Sequence, residues 1–113
     1  MIQTRFDADL NAYLVKFPVF ITLGCLHDWG KMFVTELQSR DSGTALVIDT
    51  NQHDFESVEC LRWLRMFLVG EPIIRSSVYR VAFVQPSEHR RPEVVSDVEA
   101  YFSSVEEACR WLQ

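Results

Sequence analysis

The chain has 113 residues, a formal charge of -5, a pI near 5.1 and a mean hydropathy of -0.02. This length bounds it to one domain, long enough to bury a core without disulfide or metal staples. The acidic balance argues against nucleic acid as the main partner, since phosphate binding wants a basic face, and the hydropathy argues against a membrane-embedded chain.

Ile2, Thr4 and Phe6 alternate, as do Tyr13, Val15 and Phe17, and Asp7-Ala8-Asp9-Leu10-Asn11 between them is rich in turn formers. An opening β-hairpin is expected, with Pro18 at its rim. Residues 19–23 read as a strand extension by composition. At about 100° per residue, however, Leu23, Leu26, Trp29, Phe33, Val34 and Leu37 share one side, and His27, Asp28, Lys31, Thr35 and Gln38 share the other. A helix over 22–38 follows, capped by Thr22, with a later start at Asp28 as the alternative. Gly30 falls in the apolar face, where a missing side chain lets the helix approach the sheet.

Arg40-Asp41-Ser42-Gly43 is a turn, and the apolar run at 44–50 (TALVIDT) predicts a strand covered on both faces. Residues 51–56 form a polar loop. Residues 57–69 form a second helix with a narrow polar stripe of Glu59, Arg62 and Arg65. Its apolar arc is wide: Cys60, Leu61, Trp63, Leu64, Phe67 and Leu68. Gly70-Glu71-Pro72 stops it, and 73–77 is a connection. Residues 78–85 (VYRVAFVQ) form a buried strand, 86–93 a polar loop, and 98–102 the last strand. Ser103 and Ser104 can cap a closing helix, with Glu106 and Glu107 at capping-box positions and Val105, Ala108, Cys109 and Leu112 on one face. Strands alternating with helices give an α/β fold: one mixed sheet of about five strands with helices packed on it.

The longest nearly uncharged stretch, 17–26, is too short to span a bilayer. No basic segment followed by an apolar core opens the chain, so no secretory signal is expected. Cys25, Cys60 and Cys109 all fall among apolar residues of predicted helices. Reduced core thiols and a cytoplasmic location are the expectation. Nine of the eleven basic residues are arginine, and the one locally basic run, His89-Arg90-Arg91, reads as a solvated loop.

Four segments in order carry a family resemblance. They are the Phe6-Asp7-Ala8-Asp9-Leu10-Asn11 turn between two strands, Thr22 at the first helix start, the aspartate-ending strand Leu46-Val47-Ile48-Asp49, and the closing Tyr101-Phe102-x-x-x-Glu106-Glu107-Ala108-Cys109-x-Trp111-Leu112. Over nearly its whole length the chain resembles the bacterial STAS-like (SpoIIAA-like) domains, nearest to their small uncharacterised single-domain members. It departs from them in having Pro18 where glycine often precedes the first helix. It also has a short segment between the fourth and last strands, where a helix common at that point is lost or reduced. True antagonists of the family carry a phosphorylatable serine at the start of the helix after the aspartate-ending strand. Ser57 stands at that position here without the family's flanking pattern.

The resemblance implies a non-enzymatic domain acting through protein contacts, as a homodimer or by docking to a regulatory partner. It implicates the first turn of the second helix, hence Asp54, Ser57 and Glu59. A possible phosphorylation of Ser57 is weighed against an ordinary N-cap, which the adjacent Glu56 and Glu59 favour. Trp63, Met66 and Phe67 join the candidates because these residue types are enriched at interfaces. The alternative function is the binding of a small apolar ligand or lipid in a cavity lined by Trp29, Phe33 and Trp63. Asp49, His53 and Asp54 beyond a strand end suit turn chemistry better than acid–base work, and no second His or Cys stands at ligand spacing. Cys25 and His27 lie about 200° apart on a helical wheel and cannot form a dyad. No catalytic, metal or cofactor residue is assigned.

Overall fold

An apolar run such as Ala45-Leu46-Val47-Ile48 is stable only where both strand faces are covered. The computed structural model describes residues 2–40, 42–50, 54–86 and 90–113. It places that run inside a six-stranded sheet, with all four residues buried. In chain order the elements are β1 (Gln3–Asp7), β2 (Ala12–Lys16), β3 (Phe20–Ile21), α1 (Leu23–Gln38), β4 (Thr44–Asp49), β5 (Asp54–Phe55), α2 (Val58–Gly70), α3 (Pro72–Ser77), β6 (Val78–Val84), β7 (Glu93–Val94), β8 (Glu99–Phe102) and α4 (Val105–Leu112). The sheet order is β1-β2-β4-β6-β8-β7. The four inner strands run parallel, and β1 and β7 pair antiparallel at the two edges. The architecture is α/β with a mixed sheet, as expected.

The opening hairpin forms where alternation places it, with Phe6 opposite Tyr13. Its turn is closed by the Asp7 carboxylate, which accepts from the backbone N–H groups of Asp9 and Leu10 at 3.0 and 3.2 Å. Asn11 takes the left-handed φ of 51°, a conformation asparagine tolerates. The first helix starts at Leu23, not at Asp28: the Thr22 hydroxyl accepts from the Cys25 N–H at 3.1 Å.

Three expectations are corrected. The sheet has six strands where about five were expected, because β7 forms in the polar loop as a two-residue edge. The short strands β3 and β5 pair in parallel as a separate two-stranded ribbon, so part of the expected 51–56 loop is strand; residues 51–53 lie outside the described ones. Residues 73–77 are not a bare connection but most of α3. The Glu71 carboxylate accepts from the N–H groups of Ile73 and Ile74 at 2.6 and 3.2 Å, and Pro72 takes the first helical position, where no N–H is needed.

Helices cover both sheet faces. On one, Leu26, Trp29, Phe33 and Leu37 of α1, Cys60 and Leu64 of α2 and Ile74 of α3 pack on Tyr13, Val15, Leu46 and Ile48. On the other, Ala108, Trp111 and Leu112 of α4 pack with Val47, Ala82, Val84 and Phe102, the sheet-packing role expected of the closing helix. The Ser104 hydroxyl caps α4, accepting from the Glu107 N–H at 3.3 Å. Gly30 serves a close approach, but to α2 and not to the sheet: its neighbours are Trp63 and Phe67.

Candidate functional site: a groove between the second helix and the open half of the sheet

Parallel strands need a crossover, and the crossover usually carries a helix that covers the strands it joins. The β2-to-β4 crossover carries α1, and the β4-to-β6 crossover carries α2 and α3. Between β6 and β8 the described residues of 85–98 hold no helix, only β7. The face of β6 and β8 beside α2 is therefore left open. A groove of about 870 Å³ runs there. Its floor is Val81, Phe83 and Tyr101; its α2 wall is Leu61, Leu64, Arg65, Leu68 and Val69; Arg90 and Val98 stand across from them.

The floor is aromatic and ordered. Phe83 and Tyr101 stack with ring centroids 5.0 Å apart at an interplanar angle of 16°. The Tyr101 hydroxyl donates to the Glu99 carboxylate at 2.8 Å, and the Arg90 guanidinium lies 3.6 Å from the Tyr101 ring centroid. Burial pushes the Tyr101 phenol above its ordinary pKa, and the bond to Glu99 pushes the same way. The charges of Arg90 and Arg65 pull against that rise. Arg90 is exposed in the expected loop, where its guanidinium covers the Tyr101 ring and pairs with Glu93 at 3.5 Å; His89 lies outside the described residues.

Of the residues singled out from the sequence, Asp54, Ser57 and Glu59 are exposed at β5 and the first turn of α2. Glu59 pairs with Arg62 at 3.5 Å. Ser57 occupies the N-cap position of α2, without a side-chain capping bond. Its hydroxyl lies 4.0 Å from the Cys60 sulfur. Trp63 and Phe67 stack at 4.8 Å and face α1, against Gly30, His27 and Trp29. Met66 is 70% exposed. These six do not line the groove, which lies on the other side of α2.

The ligand cavity expected between Trp29, Phe33 and Trp63 is filled. Trp29 and Phe33 are 3% and 0% exposed and stack at 5.1 Å. The open space is displaced across α2. Leu61, Leu64 and Leu68 were already in the over-wide apolar arc, but Val81, Phe83 and Tyr101 were missed. The signal that points to them is the absence of a helical pattern between residues 85 and 98.

Asp49 ends β4 beside a smaller hollow of about 260 Å³ next to α4, Asp54 sits on the β3–β5 ribbon, and His53 lies outside the described residues. Cys25 packs at the core margin while the His27 ring lies 5.2 Å from that of Trp63. All three cysteines are free; Cys60 is buried, Cys25 and Cys109 half-buried. Among the described residues no group of three or more His, Cys, Asp or Glu is arranged to hold a metal ion, and no helix is long and apolar enough to cross a membrane.

No family model, curated protein or solved structure matches the chain.

Proposed function

We propose that this is a non-enzymatic domain of STAS-like type that acts through protein–protein contacts made at the groove and the outer face of α2. The hairpin, the parallel core strands and the aspartate-ending β4 followed by a helix are in keeping with that type. The observation that carries the contact reading is the open strip over β6 and β8, bordered by exposed apolar side chains on both sides. Leu61 and Val69 stand on one border, Tyr79 and Val98 on the other. A contiguous exposed apolar patch rimmed by polar residues is a mark of interaction sites.

A photo-crosslinking amino acid at Val98 tests this in the source cell, with Gly24, which faces open space on α1, as control. A protein adduct from position 98 and none from position 24 is expected. Equal or no adducts, together with a monomer at all concentrations in sedimentation, would overturn it.

A second reading is favoured by the groove volume, which lies in the range of small-ligand sites, and by its mostly apolar lining. Native mass spectrometry of freshly purified protein separates the two. A retained mass of a few hundred daltons supports the ligand, and bare protein the contact domain.

A further inference from the structure

We draw no further inference here: the strongest candidate, the open apolar groove over β6 and β8 beside α2, belongs to the site already described, and nothing in the structure shows what covers it, since Arg90 at its border is already paired with Glu93 and stacked on Tyr101.

Discussion

The Trp63 indole lies directly over Gly30. A Cβ built on Gly30 would stand 2.7 Å from Cη2 and 3.1 Å from Cζ2 of that ring. The ring has little room to retreat, because it stacks on Phe67 at 4.8 Å and packs against His27 at 5.2 Å. The glycine sets how closely α1 and α2 approach. Gly30→Ala should gain about 1 kcal/mol of helix propensity and lose about 1–3 kcal/mol to overpacking, a net loss of up to about 2 kcal/mol in urea unfolding. In a Trp63→Leu background the alanine should be neutral or stabilising, and a cost unchanged by Trp63→Leu would refute the contact as its cause.

The three long helices differ at their N-termini. Thr22 and Ser104 accept backbone N–H bonds at 3.1 and 3.3 Å, whereas Ser57 accepts none. Thr22→Ala and Ser104→Ala should each lower stability by about 1 kcal/mol, and Ser57→Ala by no more than a few tenths. A Ser57→Ala loss as large as the other two, read from denaturant midpoints, would mean that the hydroxyl caps α2 after all.

The elements that the sequence placed well are those whose side chains repeat over several turns or strand residues. The hairpin, α1, β4, α2, β6 and α4 each carry their own period. The β3–β5 ribbon offers two residues per strand, too few for alternation to register, and it is defined by pairing across more than thirty positions of chain. The third helix was hidden by Pro72, which is read as a stop after Gly70 although it also starts a helix when a capping side chain such as Glu71 precedes it. The candidate site was half visible. The surplus apolar arc of α2 showed that one side of the helix had to face something beyond the core. A helical wheel cannot tell which side faces α1, and the enrichment of their residue types at interfaces put Trp63, Met66 and Phe67 forward in place of Leu61 and Leu68.

A part-buried polar bond helps tie the hairpin to α1. The Trp29 indole N–H donates to the Thr4 hydroxyl at 2.9 Å, and Trp29 is buried. Thr4→Val keeps the shape and leaves the N–H without its partner, at a cost of about 1–3 kcal/mol. Thr4→Ser, which keeps the acceptor, should recover most of that loss in thermal unfolding; equal losses for Val and Ser would show that methyl packing, not the bond, is what Thr4 supplies.

Alkaline pH should weaken the fold. Burial first, then hydrogen bonding or nearby carboxylates, raises the Tyr13 and Tyr101 phenols above 10.0 and the Cys109 thiol above 9.0. The native state therefore holds these protons more tightly than the unfolded chain. Stability is complete below about pH 9 and falls as pH rises through 9.0 and then 10.0. Melting curves from about pH 8 to about pH 11 should show Tyr101→Phe losing less than the parent protein over the upper part of that range. A fall of the same size in both would remove Tyr101 from the effect.

The bare side of β8 has a consequence for how the molecule breathes. β4 is paired on both edges and covered on both faces, whereas β8 has a full-length neighbour only in β6 and a helix on one face only. Amide hydrogen exchange should accordingly be slowest in β4 and quicken toward β8 and β7, so that the sheet opens as a zip from that margin. The strands that offer the groove are then also the first to loosen, and an occupant that ties α2 to β8 would slow exchange well beyond the residues it touches.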